Sequence, residues 1–345
     1  MVFDAGRAYE LLAPHFQARV QRREPLTLHS SFGVGGEADL WITVENQKEL
    51  VNLISLCSQE RWPLLAVGAG TNILYADAGV RGIVAQVRLQ DYQIEAQADG
   101  SAIVTAEAGV RWNDLLQKLV PLGWGGMEFG AGIPGTLGAG VISNAGAHNQ
   151  DLGQALLWID VLDARGCNIA EEGEYAQPLF RRYEHDELEL GYRHSRFREK
   201  PMTQIDQSGR LVLAPSQLIT PAELIVTLAL HLHPQHPTAL TALIDTNLQK
   251  RRQIEPSHQQ LGSIFKDPAN TTARALIAKA GLGGKTKGKA QISAQNANYI
   301  LNLGGASAQD IADLIIDAYQ RVLEQSGVAL ALNIELLGEW SYPHA

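Results

Sequence analysis

The stretch "GAGIPGTLGAGVISNAGAHNQDLG", residues 130–153, decides the fold. Its closely spaced glycines leave backbone N–H groups exposed and leave room for a pyrophosphate to lie against the chain. A flexible linker would be uniformly polar, but here Ile133, Leu137, Val141 and Ile142 interrupt the glycines and anchor the stretch in a core. The pattern therefore predicts a folded loop whose backbone cradles a large, phosphate-bearing ligand.

A second glycine loop, "LLAVGAGTNILY" (64–75), directly follows a predicted strand. A dinucleotide fingerprint would need a third glycine at position 73, which is Ile73, and no clear long helix follows, so a Rossmann site is disfavoured. A ligand loop and a plain turn between elements both remain open for this segment.

Composition excludes several classes of protein. The formal net charge of −9 disfavours a nucleic-acid partner, and no apolar run is long enough to span a bilayer. The N-terminal segment has an amphipathic helical pattern instead of the basic and apolar regions of a signal peptide, so we expect a cytoplasmic monomer. Cys57 and Cys167 have no metal-site or redox spacing and are expected to be buried thiols. The histidines of "HLHPQH" (231–236) lack companion ligands, so no metal is expected.

The order of predicted elements indicates an α+β protein with three units. Residues 1–87 contain a helix through about Val20, a helix from Gln47 to Arg61 capped by Asn46 and Glu49, and short strands around it. Residues 88–234 are strand-rich, with a hairpin turning at Asp99-Gly100, a helix over 113–120, a second hairpin over 157–173 and a strand over 222–234.

The third unit spans residues 237–335. We predict helices over 238–252 and 269–280, the second entered through Asp267 and Pro268, and a helix that begins at Ser307 and stops at Gly327. A final strand over 330–338 leads into a C-terminal tail, residues 336–345.

Five motifs together resemble the UDP-N-acetylenolpyruvoylglucosamine reductase family, in its order and from about residue 27 to Gly338. They are "HSSFGVGGEADLWI" (29–42), "VGAGTNIL" (67–74), "GIPGTLGAGVISNAGAH" (132–148), "LELGYRHSRFR" (188–198) and "GSIFKDP" (262–268). The segment between Leu232 and Ser263 lacks the tyrosine-bearing insertion of one branch, so the chain is similar to the shorter, second type.

The resemblance implies a two-domain FAD-binding module of the vanillyl-alcohol-oxidase (PCMH) type, with non-covalent FAD, followed by an α+β substrate-binding domain. It implies that NADPH reduces the flavin, which then reduces UDP-N-acetylenolpyruvoylglucosamine to UDP-N-acetylmuramate for peptidoglycan synthesis. The residues expected to hold FAD are Gly68, Ala69, Gly70, Thr71, Asn72, Gly132, Ile133, Pro134, Gly135, Thr136, Gly138, Ala139, Ser143, Asn144 and Gly146.

Three residues match the family's catalytic positions. Arg193 would grip the substrate carboxylate through paired hydrogen bonds, although a strand arginine is usually a surface residue. Ser263 would be the proton donor, a weak acid suited to a strongly basic carbon, although a plain turn is the alternative. Glu335, set among leucines, would assist protonation, unless strand alternation turns it to solvent.

The resemblance also implies that Tyr192, Lys266, Asp267 and Gln291 contact the substrate. Asp267 departs from the asparagine usual in the family, and its charge would oppose a diphosphate unless a lysine offsets it. The N-terminus of the helix after Pro268 is another candidate phosphate contact, and Lys285, Lys287 and Lys289 are expected mainly to form a solvated loop.

Two other functions remain open. A related FAD oxidase would bind its flavin covalently, with His148 as the candidate attachment residue. A non-catalytic protein that binds flavin or a UDP-sugar is the second alternative, and the joint presence of Ser263, Arg193 and Glu335 argues against it.

Overall fold

The computed structural model describes residues 3–174, 176–198, 203–206, 208–214 and 217–340. The helices in this part of the chain are α1 (Ala5–Phe16), α2 (Gln47–Gln59), α3 (Trp112–Leu119), α4 (Leu137–Ile142), α5 (Arg165–Ile169), α6 (Pro237–Ile254), α7 (Ala273–Lys279) and α8 (Ala308–Ser326). The longer strands up to the third unit are β1 (Val20–Pro25), β2 (Glu37–Val44), β3 (Leu64–Val67), β4 (Ile73–Tyr75), β5 (Val80–Val87), β6 (Tyr92–Ala96) and β7 (Ala102–Glu107).

Shorter strands alternate with long ones in the rest of the chain. They are β8 (Trp124–Gly125), β9 (Gly146–Ala147), β10 (Gln150–Asp151), β11 (Leu156–Asp163), β12 (Leu179–Glu184), β13 (Thr203–Ile205), β14 (Leu211–Leu213), β15 (Ile219–Thr220), β16 (Glu223–Pro234), β17 (Thr286–Lys287), β18 (Ala290–Ile292), β19 (Ile300–Asn302) and β20 (Glu335–Leu337).

The first sheet has the strand order β1-β2-β5-β3-β15, and it is parallel except between β1 and β2. The apolar stripe of α2 packs against it, so Leu50, Ile54 and Cys57 are fully buried in one core, as their helical spacing predicts. The last strand of this sheet, β15, comes from within the segment 88–234. The boundary expected after residue 87 stays a prediction, since the chain returns to the first sheet beyond it.

The second sheet is antiparallel and has the order β12-β11-β16-β7-β6, with β8 also paired to β16. The predicted hairpin around Asp99-Gly100 is confirmed as β6 and β7. One face of the sheet packs on α3, whose Trp112, Leu115 and Leu119 are at most 1% exposed. The long central strand β16 therefore joins the hairpin to the wall that carries the 130–153 stretch.

The third unit combines α7 and α8 with the small sheet β17-β18-β19 around a separate core. Its helix α8 has the predicted boundaries, with a reciprocal capping box between Ser307 and Asp310 and a left-handed Gly327 at φ 67°. Strand β20 pairs in parallel with β4 of the first unit, and Glu335 lies opposite Ile73. This pairing brings the end of the chain beside the first glycine loop.

Two predictions in the first two units were wrong. The first helix ends at Phe16, because Gln17 adopts φ 50°, and the predicted helical residue Val20 instead begins β1. The second hairpin does not form, because the Asp163 side chain accepts the backbone N–H of Arg165 at 3.0 Å and starts α5. The strand that pairs with β11 is β12, further along the chain.

Two predictions in the third unit also need correction. Helix α7 begins at Ala273 with Thr272 as its cap, and not after Pro268, so it has seven residues. The final strand is three residues long, because Ala331 and Asn333 bond the backbone of Lys266 and Ile264 before the chain reaches β20.

In the part of the chain that the structure describes, no helix is both long and apolar enough to cross a membrane. The C-terminal tail expected over 336–345 begins inside β20, and its residues 341–345 lie outside the described residues. Both cysteines are buried as expected, and burial raises the pKa of each thiol.

Candidate active site

A cleft with a volume of about 1250 Å³ lies where the three units meet. One wall is the end of β3 with the two glycine loops, and the other carries the segments 261–267 and 333–335. The segment 192–198, from the family-like motif "LELGYRHSRFR", crosses the space between these walls. The cleft therefore joins the motifs that are far apart in the sequence.

The two glycine loops face each other at close range. A Cβ at Gly68 would lie 3.2 Å from Thr136 Oγ1, and one at Gly135, where φ is 111°, would lie 2.9 Å from Thr71 Oγ1. Each loop thus leaves no space for a side chain opposite the threonine of the other. Bare backbone and two hydroxyl groups line this end of the cleft, which fits a pyrophosphate-bearing cofactor.

Nine of the fifteen residues expected to hold FAD line the cleft. They are Gly68, Thr71, Asn72, Ile133, Pro134, Thr136, Ala139, Ser143 and Gly146. The lining does not include Ala69, Gly70, Gly132, Gly135, Gly138 and Asn144.

The residues behind the lining shape the loops. A Cβ at Gly70 would lie 1.8 Å from the carbonyl oxygen of His29, so this glycine permits a close backbone crossing. The Asn144 side chain donates to the Gly191 carbonyl at 2.9 Å and accepts from the Gly153 N–H at 2.9 Å. Asn144 therefore ties the second loop to the segment that carries Arg193.

Arg193 lies against the second glycine loop. Its Nη2 donates to the Gly146 carbonyl at 2.5 Å and its Nη1 to the Asn144 carbonyl at 3.4 Å, while its backbone adopts φ 52°. Burial lowers the pKa of the guanidinium, and the neighbouring charge of Arg198 acts in the same direction. The arginine is thus held inside the cleft and is not the surface residue of the alternative interpretation.

Glu335 forms an ion pair with Arg198 in the cleft, a residue that our reading of the sequence did not identify. Arg198 Nη2 donates to Glu335 Oε1 at 2.9 Å, and the same nitrogen donates to the Asn333 carbonyl at 2.9 Å. The side chains are 4% and 20% exposed. Within the described residues, Arg198 Nη1 and Glu335 Oε2 are buried and have no hydrogen-bond partner. Such groups are costly to leave unmet, so they are suited to meet a ligand.

Ser263 lies on the opposite wall of the same cleft. Its backbone carbonyl accepts from Asn333 Nδ2 at 3.1 Å, and Asn72 Nδ2 donates to the Asn333 carbonyl at 2.8 Å. The preceding Gly262 adopts φ 87° with no atom near its absent Cβ. Asn333 therefore links the turn that carries Ser263 to the first glycine loop.

Lys266, Asp267 and Tyr192 also line the cleft. Burial lowers the pKa of the Lys266 ammonium, the positive charge of Arg198 lowers it further, and Glu335 opposes this effect. Asp267 Oδ1 accepts the N–H of Ala273 at 2.8 Å, the first residue of α7, and the Asp267 N–H donates to the Tyr192 hydroxyl at 3.3 Å. Asp267 thus caps the short helix while it remains on the wall of the cleft.

Other predicted residues lie outside the lining of the cleft. Gln291 is in β18, and its Nε2 donates to the Gly284 carbonyl at 3.2 Å. Lys285 pairs with Asp317, and Lys287 Nζ lies 3.2 Å from an Asp313 carboxylate oxygen, both on α8. The solvated-loop interpretation holds for these two lysines.

The histidines do not form a recognisable metal or flavin attachment site. His148 is not among the described residues that line the cleft. His236 Nδ1 accepts the Thr238 N–H at 3.3 Å at the start of α6. Across the described ranges, no three His, Cys, Asp or Glu side chains are grouped as metal ligands.

Comparisons with known proteins agree with this geometry. Residues 38–169 match the FAD binding domain family, and residues 254–337 match the family described as UDP-N-acetylenolpyruvoylglucosamine reductase, C-terminal domain. The chain is 34% identical over 322 residues to a UDP-N-acetylenolpyruvoylglucosamine reductase from Moorella thermoacetica, covering 93% of this chain and 94% of the relative.

A second relative and a solved structure extend the match. A UDP-N-acetylenolpyruvoylglucosamine reductase from Heliobacterium modesticaldum is 32% identical over 327 residues, covering 94% of this chain and 92% of the relative. The crystal structure of UDP-N-acetylenolpyruvylglucosamine reductase from Thermus caldophilus is 27% identical, has a TM-score of 0.69 and covers 92% of this chain and 98% of that one. The predicted FAD-binding module with a C-terminal substrate domain is confirmed, and the chain belongs to the UDP-N-acetylenolpyruvoylglucosamine reductase family of oxidoreductases.

Proposed function

We propose that this protein uses NADPH and non-covalently bound FAD to reduce UDP-N-acetylenolpyruvoylglucosamine to UDP-N-acetylmuramate, with Ser263 as the proton donor. The observation that carries the proposal is the single cleft that joins a phosphate-binding cradle to Ser263, Arg193 and the Arg198–Glu335 pair. All these groups come from one chain, so the proposed reaction needs no second copy and a monomer suffices.

The cradle formed by the two glycine loops holds the pyrophosphate of FAD in this proposal. Backbone N–H groups, the hydroxyls of Thr71 and Thr136 and the amide of Asn72 supply donors without a bulky side chain between them. When bound there, FAD supplies the hydride transfer from NADPH to the enolpyruvyl double bond. The chain's own residues must then manage the charge and the proton of the substrate.

Arg193 and Arg198 manage the charge. Hydride addition to the vinyl group moves negative charge onto the substrate carboxylate, and fixed cations in a buried site stabilise that charge. Both guanidinium groups lie in the cleft, and Arg198 Nη1 is a buried donor that no described residue satisfies. We assign Arg193 the paired grip on the carboxylate and Arg198 a single hydrogen bond from Nη1.

Ser263 manages the proton. The substrate carbon that becomes negative is a strong base, so the hydroxyl proton of Ser263 passes to it as the C–H bond forms. Glu335 keeps Arg198 oriented through the 2.9 Å hydrogen bond, and its second oxygen, Oε2, is directed to the substrate as an aid to protonation. Lys266, with its pKa lowered by burial, is the local cation for the substrate diphosphate.

Anaerobic stopped-flow measurement of the two half-reactions tests the proposal. NADPH should bleach the flavin absorbance, and added UDP-N-acetylenolpyruvoylglucosamine should restore it. Ser263→Ala should slow restoration by about 10²-fold or more, the usual contribution of a general acid, with much less effect on bleaching. Restoration that fails in the unmodified protein would refute the reductase assignment, and equal slowing of both halves would refute the role of Ser263.

Acid denaturation tests how the flavin is held. Non-covalent FAD should appear in the supernatant after the protein precipitates. Flavin that stays with the precipitate would support the covalent oxidase alternative, with His148→Ala as the variant that should then release it.

A further inference from the structure

Tyr299 lies beside Ser263 in the cleft and has no part in the reaction proposed so far. It directly precedes β19 and is 6% exposed. Its backbone is fixed on both sides, because its N–H donates to the Asn296 carbonyl at 2.9 Å and its carbonyl accepts the Ser293 N–H at 2.8 Å. The phenol is therefore held in one place and has little freedom to turn away from the cleft.

The Tyr299 hydroxyl has polar neighbours on two sides. It hydrogen-bonds with the Ser263 side chain and with the carboxylate of Glu255, which follows α6. Arg251 Nη2, one turn earlier, lies 2.7 Å from Glu255 Oε1 and fixes that carboxylate. Four side chains from three segments thus form a line that starts at Ser263 and ends at Arg251, and all four reach the cleft.

The acidity of these groups is ordered along this line. Burial raises the pKa of Tyr299 to about 12, and the negative charge of Glu255 adds to the effect, whereas the hydrogen bond with Ser263 lowers it. An aliphatic hydroxyl is a much weaker acid than a phenol. A serine that has lost its proton will therefore take one from Tyr299.

We propose that Tyr299 is a positioning residue for Ser263, which holds the serine hydroxyl in place and returns a proton to it as the serine proton leaves. The inference rests on the proposed function, because it gives Ser263 the role of proton donor. Glu255, fixed by Arg251, orients the phenol.

The proton transfer balances in three steps. The Ser263 O–H bond breaks as a C–H bond forms on the substrate carbon. At the same time the Tyr299 O–H bond breaks and a new O–H bond forms on Ser263. The phenolate then takes a proton from water when the product leaves the cleft, so the net proton comes from solvent and both residues return to their starting states.

Tyr299→Phe removes the hydroxyl and keeps the buried ring, so folding should be preserved. We expect flavin restoration by the UDP-sugar substrate to slow on the order of 10-fold, less than the loss in Ser263→Ala. The matched control is Tyr92→Phe, which removes the hydroxyl of an exposed tyrosine on β6 and should leave the rate unchanged. A Tyr299→Phe rate within about twofold of the unmodified protein would overturn the proposal.

Solvent deuterium separates proton return from mere support of the site. With two protons moving together, the restoration rate should depend on the deuterium fraction along a curve, and in Tyr299→Phe the dependence should become linear. A linear dependence in the unmodified protein would contradict proton return through Tyr299. If Ser263→Ala is slow while Tyr299→Phe is not, the proposed function stands and this inference fails.

A second readout needs no turnover. In protein labelled with ¹³C at the tyrosine Cζ, the Tyr299 resonance is the one missing from Tyr299→Phe. Ser263→Ala and Glu255→Gln should each shift that resonance, since each removes or changes a hydrogen bond to the phenol. A resonance that both substitutions leave unmoved would refute the contact on which the inference depends.

Discussion

Arg198 and Glu335 are 137 positions apart in the chain and form a buried ion pair with a hydrogen bond of 2.9 Å, each keeping one polar atom without a protein partner. The pair spans two units, because Arg198 ends the segment after Ser195 while Glu335 begins β20. The pairing of β20 with β4 brings the glutamate to the first glycine loop. The ion pair thus connects the fold of the C-terminal unit to the chemistry of the cleft.

Arg198→Ala should destabilise the protein as well as impair it. The substitution leaves the Glu335 carboxylate, 20% exposed, without its counter-charge, which should lower the free energy of unfolding by about 3 kcal/mol. Urea unfolding checks this value. The control is Arg7→Ala, whose pair with Glu60 includes an arginine side chain that is 60% exposed and should contribute less than about 1 kcal/mol. Similar losses in the two variants would contradict the assignment of a buried pair.

The walls of the cleft were predictable from sequence because their signals are local. Glycines beside Thr71 and Thr136 mark backbone that must approach closely, and each loop carries that mark within a few residues. The role of Arg198 was not predictable in this way, since "GYRHSRFR" contains three arginines and the partner of the third comes from β20. Tyr299 gave no signal either, because a tyrosine before a short apolar strand is usually core.

The wrong boundaries have a shared physical cause. At both α5 and α7 an aspartate side chain bonds the backbone at or near the helix start, and this contact moved the start away from the point that the local pattern favoured. Asp163 starts a helix where a hairpin turn was expected, and Asp267 accepts from Ala273 across five intervening residues. Such caps depend on side-chain geometry, which propensity and periodicity do not describe.

Gly135→Ala should abolish or strongly weaken FAD binding. The added Cβ would lie 2.9 Å from Thr71 Oγ1 and push the two loops apart. Gly100→Ala is the matched control, since both glycines have positive φ, 111° and 87°, but Gly100 lies in a hairpin turn with nothing within 4 Å of a Cβ. Flavin content and titration of the flavin-free protein with FAD measure the effect. Equal FAD affinity in the two variants would show that backbone strain, and not the contact between loops, controls the cradle.

Acid should destabilise the protein partly through Asp163. Its hydrogen bonds with Arg165, together with Arg181, hold the pKa of the carboxyl at about 2, against about 3.9 in an unfolded chain. The unfolded state therefore takes up the proton first, and the stabilisation, complete above about pH 4, is lost as the pH falls toward 2. We expect about 1 kcal/mol, because both arginines are roughly half exposed and solvent screens the pair.

Asp163→Asn isolates this contribution. The variant should be less stable than the unmodified protein above pH 4, and the difference should vanish as the pH approaches 2. Urea unfolding at intervals between pH 5 and pH 2 measures both curves. A difference that stays constant over this range would show that the carboxyl gains nothing from ionisation in the folded state.

Asp267 has two separable roles, and two substitutions distinguish them. As a cap it accepts the Ala273 N–H at 2.8 Å, a bond that the side-chain oxygen of asparagine can also accept and alanine cannot. Asp267→Ala should therefore lower the free energy of unfolding by about 1 kcal/mol, while Asp267→Asn should change it little. As a charge on the wall of the cleft, Asp267 opposes a diphosphate, so Asp267→Asn should tighten the binding of UDP a few-fold. Calorimetric titration with UDP measures this change, and because the repulsion is screened, the gain should shrink as salt rises. If Asp267→Asn instead weakens UDP binding at every salt concentration, the carboxylate aids recognition, as it would by holding Lys266 or Tyr192 toward the ligand.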